Sequence, residues 1–263
     1  MKGHLQLNKP KSQDRPARPV MQLEEICMAH IMEGRRVPVL EDISFTIRPG
    51  ELICLLGPSG CGKTTLLNII AGFTEPESGQ IRVGGAPING SGPDRCMVFQ
   101  EDALFPWLTV GENIAFGLRG RLRHSRIQER VDHYLNLVGL KAFRDYLPRE
   151  LSGGMKQRVA LARVLILNPP VLLMDEPFGA LDAQTREDMQ ELLLDIRREV
   201  SHAIVFVTHD INEAVTLADR ILLMGKHPGC IAADVVVSLP LPRSKTSLDF
   251  QGYYARLREM LKD

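Results

Sequence analysis

Ile43, Phe45 and Ile47 alternate with polar residues at the period of a half-buried strand, and Pro49-Gly50 then turns the chain into an unbroken apolar run, residues 52–56. A glycine-rich loop follows this second strand. Residues 66–71 read as a helix closed by Gly72, and short strand patterns follow at 80–83 and 96–100. From 109 to 149 the pattern turns helical. Thr109 with Glu112 and Ser125 with Gln128 have capping-box spacing, and Gly139 closes the second helix. From Ser152 onward, helix and buried strand alternate: helix to 167, strand 171–175, helix from about 183, strand 203–208, helix from 211, strand 220–224. Such alternation implies crossover units and a largely parallel sheet covered by helices, an α/β fold with a β-rich opening and a helical insert. A strand through 235–237 and a helix over 248–261 complete the pattern.

Composition narrows the function classes. At 263 residues and 44% apolar the chain can bury an ordinary core, as one compound domain with short tails. Lys plus Arg and Asp plus Glu both number 32, so no bulk charge points to nucleic acid. The longest apolar runs are a handful of residues, against the roughly 20 that a membrane helix needs. Residues 1–20 carry five basic residues and three prolines with no apolar stretch, which predicts a disordered basic tail rather than a secretory signal. The five cysteines are scattered and never spaced C-x-x-C, which argues against a disulfide framework or zinc site and fits a reducing compartment.

Gly57-Pro58-Ser59-Gly60-Cys61-Gly62-Lys63-Thr64-Thr65 fits G-x-x-x-x-G-K-[ST] and lies between a buried strand and a helix, where a phosphate cradle needs to lie. Glycines let backbone N–H groups converge on phosphate oxygens, Lys63 reaches the β and γ phosphates, and the Thr64 hydroxyl can ligate Mg²⁺. The run 171–176 is an apolar strand ending in Asp175 and Glu176, at the carboxyl edge where α/β ligands bind. Asp175 is placed to hold magnesium through water and Glu176 to act as general base; alone, the pair would read as a solvated strand end. Leu151-Ser152-Gly153-Gly154-Met155-Lys156-Gln157-Arg158 is a second glycine-rich helix start, with Ser152 as N-cap and free N–H groups for another anion.

This octapeptide resembles the signature motif of the ABC ATPases, and it falls between the phosphate loop and the acidic strand as in that family. The resemblance covers about residues 39–224. It implies a P-loop NTPase (RecA-like) α/β core with an antiparallel β subdomain and an inserted α-helical subdomain. The ABC ATPase domain would span 21–263, with the helical part at about 103–157 and a C-terminal strand and helix within 226–263. It also implies an ATP hydrolase coupled to transmembrane transport, with ATP and Mg²⁺ as cofactors. Gln100 matches the glutamine that senses γ-phosphate and metal, Ala180-Leu181-Asp182 the loop that crosses the dimer interface, and His209 the switch histidine. Ser152, Gly153, Gly154 and Gln157 would complete an ATP site whose phosphate loop belongs to a second copy, so that a homodimer is the active unit. One departure stands out: residues 29–36 offer no aromatic side chain to stack on adenine, which leaves His30 or Met32 for that place.

Residues 103–108 place the only Trp, Trp107, beside other large apolar groups, and the resemblance implies a groove for a short helix of a membrane permease. Arg119, Arg121, Arg123, Arg126 and Arg130 read as a solvated basic face; without interleaved aromatics they do not suggest nucleic acid. The combined motifs are similar to importer subunits of the nitrate, sulfonate and taurine type, which work with a permease at the cytoplasmic face of the membrane and only indirectly with a solute-binding protein. The rivals are a soluble ABC ATPase of DNA or ribosomes, an exporter subunit, and a nucleotide-binding regulator without turnover. Only fifty residues separate Gln100 from Glu150, too few for a long coiled-coil insertion, and a single phosphate loop appears.

Overall fold

The computed structural model describes residues 18–99, 103–200, 202–226 and 228–262. The basic tail and Gln100 fall outside these residues, apart from 18–20, of which Val20 donates its backbone N–H to Ile47 O. Strands β1 (Met21–Met32) and β2 (Arg35–Ile47) form an antiparallel hairpin whose two-residue turn, Glu33-Gly34, has positive φ at both positions, the turn that matches strand twist. Ile43, Phe45 and Ile47 face inward while Ser44 and Thr46 are exposed, the expected alternation. The sequence pattern gives no strand to β1, because its register against β2 shifts three times and breaks the period of two.

The buried strand β3 (Leu52–Leu56) leads through the phosphate loop into α1 (Lys63–Ala71). Gly72 ends α1 at φ 77, and a Cβ there would lie 2.1 Å from Gly90 O, so only glycine fits this cap. Strands β4 (Ser78–Val83) and β5 (Ala86–Pro87) complete the antiparallel sheet, ordered β2-β1-β4-β5. After β6 (Arg95–Val98) come α2 (Val110–Ala115) and α3 (His124–Leu137). Thr109 accepts from Glu112 N at 3.2 Å and Glu112 accepts from Thr109 N at 2.9 Å, the expected capping box.

The second expected box does not form. Helix α3 begins at His124, one residue before Ser125, with extended Arg123 at its cap, and Gln128 instead accepts from the Arg144 guanidinium. Burial of Ile127, Val131, Tyr134 and Leu135 along one face sets where this helix lies. Gly139, at φ 71, closes it as expected.

The remaining elements are α4 (Gly153–Leu165), β7 (Val171–Asp175), α5 (Ala183–Glu199), β8 (Ala203–Thr208), α6 (Ile211–Leu217), β9 (Arg220–Met224), β10 (Ile231–Val236) and α7 (Leu248–Met260). The second sheet runs β10-β9-β3-β8-β7-β6, with every pairing parallel except β9 with β10. Both faces are covered, which explains the unbroken apolar runs. Leu52, Cys54 and Leu56 pack into the core with α2–α7, whereas Ile53 and Leu55 pack into a second core with α1 and the antiparallel sheet. No described helix is long and apolar enough to cross a membrane.

Candidate nucleotide site

Sheet order assembles the site. β3, β8 and β7 are neighbours, with Leu56 opposite Thr208 and Val207 opposite Asp175, so residues 57–65, His209 and the Asp175-Glu176 pair leave the same carboxyl edge side by side. The phosphate loop ends at Gly62, whose φ of 97 heads α1 with no side chain capping its first turn among the described residues. The first N–H groups of α1 thus face the loop, a ready anion site. Lys63 is buried, and its Nζ donates to Gly57 O at 2.8 Å and Pro58 O at 2.9 Å across the loop mouth. Gly57 and Cys61 are also buried, whereas Ser59, Gly60 and Thr64 are exposed, and Pro58 and Thr65 are half-buried.

Thr64 Oγ1 donates to Asp175 Oδ1 at 3.3 Å. Burial, aided by Glu176, pushes the Asp175 carboxyl up against the opposing pull of the Thr64 hydroxyl and the Lys63 ammonium. A half-buried carboxylate disfavoured by desolvation gains from a cation beside it. The paired hydroxyl and carboxylate are hard oxygen donors suited to magnesium, which takes one or two protein ligands and completes its shell with phosphate and water.

Glu176 follows β7 at φ 42, a region that non-glycine residues seldom adopt. Two backbone bonds hold it there: its N–H donates to Val207 O and its carbonyl accepts from Gly179 N, both at 3.1 Å. This turn delivers its carboxylate to His209, with Oε2 3.0 Å from Nδ1. His209 leaves β8 just before α6, whose cap, Asp210, accepts from Asn212 N at 2.7 Å.

The signature segment lies apart. Ser152 accepts from Met155 N at 3.3 Å, the cap read from sequence, and Ser152 and Gly153 are exposed. Among the described residues no hydrogen bond joins 151–158 to 57–65. Gly154 and Gln157 are buried in α4 and so, against expectation, do not share the exposed face of Ser152 and Gly153. Asp182 caps α5, accepting from Thr185 N at 3.0 Å and Thr185 Oγ1 at 2.7 Å, and these bonds hold its carboxyl below the usual range. His30 and Met32, two apart and so on one face of β1, are both exposed beside the hairpin turn.

A family model described as ABC transporter matches residues 40–179, from β2 past Glu176. The chain belongs to the ABC transporter family. Curated relatives in that family include the taurine import ATP-binding protein TauB of Pelagibacter ubique, 52% identical over 76% of each chain. The nitrate import ATP-binding protein NrtD of Synechocystis is 47% identical over 86% of this chain and 88% of that one. The aliphatic sulfonates import ATP-binding protein SsuB of Bacillus subtilis is 46% identical over 87% and 89%. Among ABC structures, cbiO1 of Clostridium perfringens, part of the transporter complex cbiONQ, superposes with TM-score 0.75 at 30% identity, covering 83% of this chain and 89% of that one. A dimeric ATP-binding cassette, MJ0796, bound to ADP and Pi superposes with TM-score 0.71 at 32% identity, covering 84% and 100%. The fold is accordingly the ABC ATPase form of the P-loop NTPase.

Within the ABC match lie the phosphate loop, the signature and both acids, while His209 lies beyond it. Sequence reasoning missed the polar groups behind the histidine: Thr208, Arg186 and Glu213. Glu213 is one buried acid on a short helix, and neither spacing nor composition marks it.

Proposed function

We propose that this chain is the ATP-hydrolysing subunit of an importer for a small anionic solute, working as a homodimer at the cytoplasmic face of the membrane. The observation that carries the reading is the edge where Lys63, the Thr64–Asp175 pair and the Glu176–His209 pair converge from three neighbouring strands. Lys63 and the loop N–H groups bind the β and γ phosphates; Thr64 and Asp175 would hold magnesium, a role in which the family resemblance also puts Gln100. When bound, the ion neutralises charge on the phosphate oxygens. Glu176 accepts the proton of the attacking water, and His209, bonded to its carboxylate, orients it toward the γ-phosphate. Ser152 and Gly153 close over the nucleotide held by the other copy, with Asp182 and its loop at the seam and Gly154 packed behind them against Thr185. Gln157 supports the signature helix from inside.

The permease surface is the aromatic cluster after residue 103. Phe105 packs against Phe116 at 4.4 Å and Trp107 at 5.6 Å between ring centroids, with Arg163 4.5 Å above its ring. Trp107 is 71% exposed, too much for a core residue of its size. Relatives named for sulfonate, taurine and nitrate import match this chain at 46%, 52% and 47% identity, which supports a small oxyanion or sulfonate cargo without choosing among them. Affinity purification of the tagged chain from gently solubilised membranes tests the reading. Recovery of a multi-span permease with ATPase activity lost in Lys63→Ala supports it, whereas recovery of soluble DNA or ribosome components alone overturns it.

A further inference from the structure

The residues that flank His209 are tied to a distant part of the fold. Thr208 is buried, and its hydroxyl donates to Glu213 Oε2 at 2.6 Å while accepting from Asp210 N at 3.0 Å. One hydroxyl thereby fixes the main chain on both sides of the histidine. Glu213 is buried at 5% exposure; burial drives its carboxyl up, opposed first by the Thr208 hydroxyl and then by Arg186. Arg186 Nε lies 3.7 Å from Glu213 Oε1, and Nη2 of the same guanidinium donates to Leu181 O at 2.9 Å. Leu181 belongs to the loop Ala180-Leu181-Asp182, and Asp182 is gripped by Thr185, one residue before Arg186. Thr185 also abuts the signature helix: a Cβ on Gly154 would lie 2.4 Å from Thr185 Cγ2. A path of polar contacts therefore runs from that loop to the residues on either side of His209, hydrogen-bonded except at the Arg186–Glu213 step, which is an ion contact at 3.7 Å, with the signature start packed against its origin.

We infer that Arg186 and Glu213 are positioning residues for hydrolysis, a bridge that ties the chain around His209 to the loop 180–182 so that displacement of the loop is felt at the imidazole. Neither residue touches the reacting atoms; both act through Thr208 and Asp210. The inference rests on the proposed partnership of His209 with Glu176. A bridge of this kind has a signature that a merely structural contact lacks: it moves turnover without moving nucleotide affinity, because Lys63 and the loop N–H groups are untouched.

The test is ATP hydrolysis and ATP binding by the full chain, with thermal melting alongside, in Glu213→Ala, Glu213→Gln, Arg186→Ala, Thr208→Val and His209→Ala. Glu213→Ala and Thr208→Val are expected to lower kcat about tenfold or more while KM and ATP affinity stay within about twofold, since small misplacements cost rate. Glu213→Gln keeps an oxygen for the Thr208 hydroxyl and should recover most of that loss. Adding Arg186→Ala to Glu213→Ala should lower kcat no further, as expected of partners in one network. Thr208→Val preserves shape, so it carries the test if Glu213→Ala does not fold. Parental kcat in folded Glu213→Ala or Thr208→Val overturns the bridge while leaving the site reading intact, provided that His209→Ala is impaired. A kcat loss matched by equal losses in affinity and melting, and not recovered by Gln, also overturns it. Parental turnover in His209→Ala overturns the site reading instead.

Discussion

Two glycine-rich helix starts in this chain look alike as sequence and differ as chemistry. At α1, Gly62 heads the helix in a left-handed conformation with no capping side chain among the described residues, and a lysine, two carboxylates and a histidine stand around it. At α4, Ser152 already caps the helix and Gly153 faces open space. The contrast teaches that a helix N-terminus becomes a reaction centre through what the neighbouring strands deliver to it. Parallel order puts β8 beside β3 and β7 beside β8, whereas α4 packs among α2, α3 and α5. In this account the second start is the complement of the first, supplied from another copy.

Perturbations at the two places should therefore separate. The largest effect is expected from Glu176→Gln, which should lower turnover by about 10² to 10⁴ while ATP binding persists and a nucleotide-bound dimer accumulates. Phosphate release and size-exclusion in ATP measure both, and turnover near the parental rate would mean that the α1 edge holds no base. Thiol chemistry gives an intermediate contrast. Cys61 is buried within the loop, and burial raises its thiol further, whereas Cys230 is exposed. Cys230 should be alkylated well before Cys61, and ATP should slow only Cys61, as read by peptide mass spectrometry; equal rates would mean that the loop is open.

A capping change away from both places should act on stability alone. Thr109→Ala removes one half of the α2 capping box and should cost about 1 kcal/mol in urea denaturation with kcat unchanged. The smallest effect is a pH dependence near the seam. The folded Asp182 carboxyl lies below its usual range through its Thr185 bonds, so its contribution is present above the unfolded pKa and is lost as pH falls through the folded one. The stability difference between the parent and Asp182→Ala should shrink as the solution is acidified. A difference constant with pH would mean that the loop is not held by this charge.

Strands 171–175, 203–208 and 220–224 were legible to the residue, because buried parallel strands are short apolar runs with abrupt polar ends. β1 was not, since its bulges scatter Glu24 and Glu25 onto the exposed side in succession. Strand 231–236 begins earlier than the reading, its first half carried by Ala232 and Ala233, which are too small to mark a face. The S-x-x-Q spacing at Ser125 failed because the same spacing occurs inside a first turn. Of the residues singled out in the sequence, Lys63, Thr64, Asp175 and Glu176 come from short, ordered motifs at strand ends and His209 from the family resemblance alone; the structure brings all five to one sheet edge. The burial of Gln157 and the bridge through Arg186 and Glu213 were not, because they depend on which helices meet, and one chain's spacing does not encode that.

The most direct test of the two-copy site is complementation between two inactive chains. Lys63→Ala disables the phosphate loop, and Gly153→Asp puts a negative charge at the signature, where an added Cβ meets nothing within 4 Å of its own chain. Each variant alone should be inactive, and an equimolar mixture should regain ATPase activity, because a mixed pair restores one intact phosphate loop facing one intact signature. A mixture as inactive as its components would contradict the account and place the whole site within a single chain.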